Sequence, residues 1–294
     1  MNALFGWPGG KRNLKSVLLS LIPAHQAYVE LFCGSAKLLF AKEPSRWEII
    51  NDLNEDLICF FRVAKHRPAE LAEILKTETV HAGRFRELRQ QAPPADELER
   101  AARFLYLTWQ SFGSKGEHFA SINVKHIAKA ASPVHLSFRG VRDLLARTAE
   151  RLADVLIEQR DCIDCIDRYD AADTFFYCDP PYVEFGNLAR YAPMTAERIR
   201  ELFARLAKIR GKFLLSYDDH PSIRKLATEH GMNVRRVGVR YSLGFAGADP
   251  RRERGELLIA NYPLPKIEAG PPRRLPVPRK LQTGNFRNSH ILAN

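Results

Sequence analysis

Thr174-Phe175-Phe176-Tyr177-Cys178-Asp179-Pro180-Pro181-Tyr182 is an apolar run that ends in an acid, two prolines and an aromatic. The first five residues read as a buried strand. Asp179 therefore leaves a strand at its C-terminal end, the edge where open α/β sheets bind ligands. The two prolines hold the chain extended and remove two backbone N–H groups, while their carbonyls stay free to accept. A carboxylate, outward carbonyls and an aromatic face together suit a flat group carrying an NH2, such as the amino edge of a nucleobase. The tetrapeptide alone is also an ordinary surface turn, because Pro and Asp are common turn residues. The strand before it and a second constellation near the N-terminus favour the site.

That constellation starts with Ala27-Tyr28-Val29-Glu30-Leu31-Phe32, a strand pattern. Cys33-Gly34-Ser35-Ala36 follows, then an apolar helix start at Leu38-Leu39-Phe40. Trp47-Glu48-Ile49-Ile50 reads as the next strand and ends in Asn51-Asp52. A glycine after the first strand lets a ligand approach the backbone, and an acid about 20 residues later, after the second strand, can bind both hydroxyls of a ribose. Gly-x-Gly-x-x-Gly and a phosphate loop are both absent. An adenosine cofactor without a pyrophosphate fits better than a dinucleotide, with S-adenosylmethionine the obvious candidate. Asp52 has a second reading as an acid at the start of a helix.

In their order the motifs resemble the Dam-type (D12 class) adenine-specific DNA methyltransferases. The resemblance rests on Trp7-Pro8-Gly9-Gly10-Lys11, Glu30-Leu31-Phe32-Cys33-Gly34-Ser35-Ala36, Asp52 in Asn51-Asp52-Leu53-Asn54, Asp179-Pro180-Pro181-Tyr182 and Glu256-Leu257-Leu258-Ile259-Ala260-Asn261-Tyr262. It spans residues 5 to 262. It implies a Rossmann-like α/β sheet that binds S-adenosylmethionine, with no metal, and a helical DNA-recognition insert. It also implies site-specific N6-methylation of a flipped-out adenine in double-stranded DNA by a monomer. Catalytic roles fall to Asp179, Pro180, Pro181 and Tyr182. Cofactor roles fall to Trp7, Lys11, Glu30, Gly34, Asp52, Asp161 and Asp179. The family usually has a second glycine where this chain has Ala36, whose methyl group narrows the approach to the cofactor. Asp at 179 points to adenine by family analogy alone. Methylation of DNA cytosine, RNA adenine or a glutamine side chain remains open, as does a catalytically silent DNA-binding homologue.

Composition bounds these readings. The chain has 294 residues, 45% of them hydrophobic, enough for one large α/β domain and an insert. No apolar run is long enough for a membrane span, and no signal core follows the N-terminus, so a cytoplasmic protein is expected. The net charge of +11 favours a polyanionic partner. Of the five cysteines, Cys33, Cys59 and Cys178 sit in apolar surroundings, and Cys162-Ile163-Asp164-Cys165 is a lone Cys-x-x-Cys without a second pair.

Strand–helix alternation assigns residues 1–65 and 151–262 to the cofactor-binding catalytic domain. Residues 66–150 are polar and helical, rich in Arg, Glu and Ala, and read as an inserted recognition domain. Thr195 caps an expected helix with Ile199, Leu202, Phe203, Leu206 and Ile209 on one face. Phe213–Tyr217 is the next strand, and Asn233–Tyr241 with Gly255–Tyr262 reads as a terminal hairpin. Residues 263–294 are Pro-rich and basic, a flexible arm. Within the insert, Trp109, Phe112, Lys115 and Lys125 mix aromatics with bases around a Gly-rich turn, a pattern suited to DNA contact. Arg252, in the loop of the hairpin, is expected to grip phosphate. Tyr106 reads as packing at helical spacing.

Overall fold

The computed structural model describes residues 1–7, 14–120, 138, 140–182, 194–239 and 254–265. Seven strands form one sheet in the order β3-β2-β1-β4-β5-β7-β6. The strands are β1 (Ala27–Glu30), β2 (Trp47–Asn51), β3 (Val155–Glu158), β4 (Thr174–Cys178), β5 (Lys212–Asp218), β6 (Asn233–Val239) and β7 (Arg254–Ala260). The first five are parallel, and β7 runs antiparallel between β5 and β6. The strand order reverses direction between β1 and β4. That reversal opens a crevice beyond the carboxyl ends of these two strands, where ligands of open α/β sheets bind.

All five residues of β4 are buried, as a central parallel strand covered on both faces requires. Its side chains alternate. Phe175 and Tyr177 join one core with Tyr28 and Phe60, while Phe176 and Cys178 join the other with Val29 and Phe203. The first face is covered by α1 (Lys15–Leu21), α2 (Lys37–Ala41), α3 (Glu55–His66), α4 (Pro68–Thr77), α5 (Ala82–Gln90), α6 (Glu97–Trp109) and α7 (Val141–Leu152). The second is covered by α8 (Cys162–Tyr169), α9 (Ala196–Leu206) and α10 (Pro221–Glu229).

The helices α4 to α7, which fall in the stretch read as an insert, bury their apolar stripes in the same cluster as the sheet face. Phe5 stands edge-on to Phe60 of α3 (5.3 Å) and Phe104 of α6 (5.6 Å), so the N-terminal segment stitches these helices together. The hydroxyl of Thr195 accepts from Arg198 N–H and caps α9, as its position before the apolar stripe predicts. Cys162, Cys165 and Ile166 are buried on one side of α8. The Cys-x-x-Cys spacing is thus the i, i+3 repeat of a helix face, and burial pushes both thiols up to about 12. At the far end of the chain Tyr262 donates to Leu21 O (2.8 Å), Leu264 packs on the core and Arg235 donates to Pro265 O. The chain therefore stays docked through Pro265, three residues into the segment read as an arm.

Candidate active site at the carboxyl edge of the sheet

The crevice begins where β1 runs on past its last residue. Leu31 N–H donates to Tyr177 O of β4 (3.0 Å) and Cys33 N–H to Asn51 O of β2 (2.9 Å), so the segment stays between its two neighbours. The buried side chain of Asn51 fixes this edge from the other direction. Its amide donates to Leu31 O and Arg160 O, and its carbonyl accepts from Arg160 N–H, which ties the ends of β1, β2 and β3 together.

The chain then turns sharply. Gly34 (φ +47°) and Ala36 (φ +49°) both lie in the left-handed region, which Gly occupies freely and Ala at a cost of about 1–2 kcal/mol. Gly34 is required for space as well as conformation. A Cβ there would stand 2.6 Å from Cδ1 of Trp7, which packs directly over the turn. Ala36 holds a backbone conformation that glycine adopts more freely, and its methyl group is fully buried.

Asp52 closes the turn from β2. One carboxylate oxygen accepts from Gly34 N–H (3.0 Å), the other from Asn54 N–H (3.0 Å). Each oxygen keeps a further lone pair, because a carboxylate offers about four acceptor positions. Burial raises the Asp52 pKa, and the N–H groups of Asn54, Gly34 and Leu53 pull against that rise. The helix-start reading is met by a different residue: Asn54 caps α3, its side chain accepting from Leu57 N–H. Glu30, at the end of β1, is buried and accepts from Leu39 N–H in α2 (3.3 Å). Burial, with the charge of Asp179 adding to it, pushes the Glu30 carboxyl up to about 8.

Asp179 leaves β4 on the other side of the crevice. Its Oδ1 accepts from the hydroxyl of Ser216 in β5 (3.2 Å), and Ser216 Oγ lies 3.1 Å from the hydroxyl of Tyr177. Pro180 is buried, and Pro181 and Tyr182 are half-buried. The Tyr182 ring lies against Tyr217 with centroids 4.7 Å apart, and its hydroxyl donates to the buried carboxylate of Glu256 in β7 (2.8 Å). An aromatic face is therefore held at two points beside the carboxylate.

Of the residues singled out from sequence, Trp7, Glu30, Gly34, Asp52, Asp179, Pro180, Pro181 and Tyr182 lie along this edge. Asp161 follows β3 at the same edge, where it caps α8 by accepting from Ile163 N–H and pairs with Arg198. Trp109 is a correction. It is buried, donates to Leu4 O (3.2 Å) and stacks on Phe138, so it packs the core and offers DNA no surface. Tyr106 packs as expected and donates to Thr79 O (2.9 Å). Phe112 is 62% exposed on a short turn that Ser111 braces by accepting from Gly116 N–H, and Lys115 lies half-buried in the same turn. Lys11, Lys125 and Arg252 lie outside the described residues.

Four contributors were given no role by the sequence reading: Asn51, Tyr177, Ser216 and Glu256. Each carries a polar group next to apolar strand residues. That signal was available, since a buried polar group needs a partner. What it could not supply was the pairing across strands.

The model of the D12 class N6 adenine-specific DNA methyltransferases matches residues 7–243. The chain belongs to that family. Its activity is N6-methylation of adenine in DNA, the family's reaction. Family members similar to it include the type II methyltransferase M1.LlaDCHI of Lactococcus lactis subsp. cremoris, 25% identical over 87% of this chain and 94% of that protein. The type II methyltransferase M.MjaIII of Methanocaldococcus jannaschii is 24% identical over 87% of this chain and 97% of its own length. A DNA adenine methylase of Salmonella typhi is 24% identical over 80% and 88%. As a D12 methyltransferase the chain works on DNA. Among its described residues no helix is long and apolar enough to cross a membrane.

Proposed function

We propose that this D12 methyltransferase binds S-adenosylmethionine across the β1–β4 crevice and methylates an adenine flipped out of duplex DNA at a specific sequence. When bound, the cofactor supplies an electrophilic methyl group on a sulfonium. The observation that carries the reading is the position of Asp179 at the end of β4, next to the end of β1 that leads into the Gly34–Asp52 turn at the switch point. The turn fits an adenosine. Gly34 gives the turn its tight left-handed backbone with Trp7 packed over it, and Asp52 presents a carboxylate already fixed by two backbone donors. Trp7 and Glu30 border the same turn. Lys11 and Asp161 complete the proposed cofactor set by family resemblance.

The amine of adenine is a weak nucleophile because its lone pair is delocalised into the ring. A carboxylate oxygen of Asp179 accepts one amine hydrogen, and the Pro180 carbonyl accepts the other. The nitrogen is then drawn toward tetrahedral geometry with its lone pair aimed at the methyl. Positioning and fixed dipoles supply most of the help. Pro181 holds the tetrapeptide extended, and Tyr182 gives the flipped base a surface to stack on. A base inside a duplex cannot reach this crevice, so extrusion is required. Phe112, Lys115 and Lys125 are assigned to DNA contact, with Arg252 on phosphate.

The test is transfer of radiolabelled methyl to duplex DNA, followed by nucleoside analysis, for the wild type and Asp179→Ala. N6-methyladenine from the wild type, no label from the variant and retained DNA binding by both are expected. Label on cytosine, or wild-type turnover in Asp179→Ala, would remove this mechanism.

A further inference from the structure

Ser216 sits in the middle of β5, among Phe213, Leu214, Leu215 and Tyr217, and is fully buried. A hydroxyl in that position costs free energy unless it is bonded. Its partners are Asp179 Oδ1 at 3.2 Å on one side and the Tyr177 hydroxyl at 3.1 Å on the other. Tyr177 is itself buried on β4, two residues before Asp179. The pair β4–β5 is parallel, with Cys178 opposite Leu215, so the register sets Ser216 beside Asp179.

Proton counting fixes the direction of this chain. An ionised carboxylate can only accept, so the single hydrogen of Ser216 points at Asp179. Ser216 must then accept from Tyr177, whose hydroxyl is the remaining donor of that pair. A chain of hydroxyl groups aligned in one direction strengthens each of its bonds. Its end point is one oxygen of the carboxylate that faces the substrate.

We propose that Ser216 is a positioning residue of the methyl-transfer reaction, fixing the rotation of the Asp179 carboxylate so that Oδ2 is presented to the adenine amine, with Tyr177 orienting Ser216. The inference rests on the assignment of Asp179 to the amine. It adds that the carboxylate is held in register by β5 and does not rotate freely at the strand end. The two partners of Ser216 both lie on the β4 side of the crevice and not on the Gly34–Asp52 turn, so the effect falls on the chemical step and leaves cofactor binding alone.

Single-turnover methylation with saturating cofactor and DNA tests it on the full-length chain carrying Ser216→Ala, Tyr177→Phe, both together, or Asp179→Ala. Losing one hydrogen bond to a charged group should slow Ser216→Ala about tenfold or more. Its cofactor dissociation constant should stay within about twofold, the range expected for a site left untouched. Tyr177→Phe should slow the step less, and the double variant should be no slower than Ser216→Ala, because Tyr177 acts through Ser216. Unchanged turnover in Ser216→Ala, or losses that multiply in the double variant, would overturn the positioning role. So would a rate loss matched by an equal loss of cofactor affinity or of thermal midpoint. An inactive Asp179→Ala beside a fully active Ser216→Ala sinks the positioning role alone, whereas an active Asp179→Ala sinks the assignment beneath it as well.

Discussion

Two acids bordering the Gly34 turn do different work because their surroundings differ. Asp52 accepts from two backbone N–H groups and keeps lone pairs for a ligand. Asp52→Ala should therefore weaken cofactor binding by about 1.5–3 kcal/mol, the scale of a hydrogen bond to a charged group. Calorimetric titration of cofactor without DNA measures it, and an unchanged dissociation constant would confine Asp52 to bracing the turn. Glu30 is held protonated by burial, with Asp179 adding to the effect; its carboxyl lies at about 8 against an ordinary 4.5. Between those values the folded protein keeps a proton that the unfolded chain releases, so stability falls as pH rises through the window and levels off above it. Glu30→Gln keeps the acceptor for Leu39 N–H and cannot ionise. Urea midpoints at about pH 5 and about pH 9 should show the variant gaining on the wild type at the higher pH. A difference between the two proteins that does not change with pH would mean that Glu30 ionises in the fold as it does in the unfolded chain.

Elements were legible where one residue pattern had one structural cause. The strands β1, β2, β4 and β5 showed as apolar runs, and Thr195 marked a helix start by its side-chain cap. The helix α10 gave no such signal. It opens with Pro221 at its first turn behind His220, whose ring accepts from Ser222 N–H, an uncommon cap. The helix α8 was obscured because its buried face is built from Cys162 and Cys165, a lone Cys-x-x-Cys that was not read as a helix face. Strand order was legible only for the terminal hairpin, β6 with β7, since pairing of β7 with β5 is a long-range contact that no local pattern encodes. The same limit hid the tie between β2 and α7. Glu48 is buried at the start of β2 and accepts from Lys42 (2.5 Å) and from Arg151 of α7 (2.5 and 2.9 Å). Burial alone would raise its carboxyl, but Arg151 and Lys42 hold it below the ordinary value. Glu48→Ala leaves both cations without that partner and should cost about 3–5 kcal/mol, read from the denaturant midpoint. Adding Arg151→Met should cost much less than it does alone, because the two residues share one interaction. Fully additive losses would show that the ion pair contributes little to holding α7 on the sheet.

At the scale of the molecule, the C-terminal segment contributes both packing and charge. Packing continues through Leu264 and Pro265, which engage the core and Arg235. Beyond that point the sequence is Pro-rich, without apolar periodicity, and holds six Lys or Arg against one acid, +5 of the total +11. A cut after Tyr262 would strip Leu264 from the core, so the informative truncation falls after Pro265. Removing 266–294 should leave a folded, active enzyme that methylates the same sequence, because the crevice and both cores lie upstream. Its DNA affinity should fall at low salt and depend less steeply on salt, by up to about 0.9 in logarithmic slope for each phosphate that these cations neutralise. Fluorescence anisotropy on a duplex across a salt series measures the slope, and methylation-aware sequencing measures the target. An unchanged slope would mean these cations do not reach DNA. A changed target would mean the segment reads bases, which cations drawn only to phosphate cannot do.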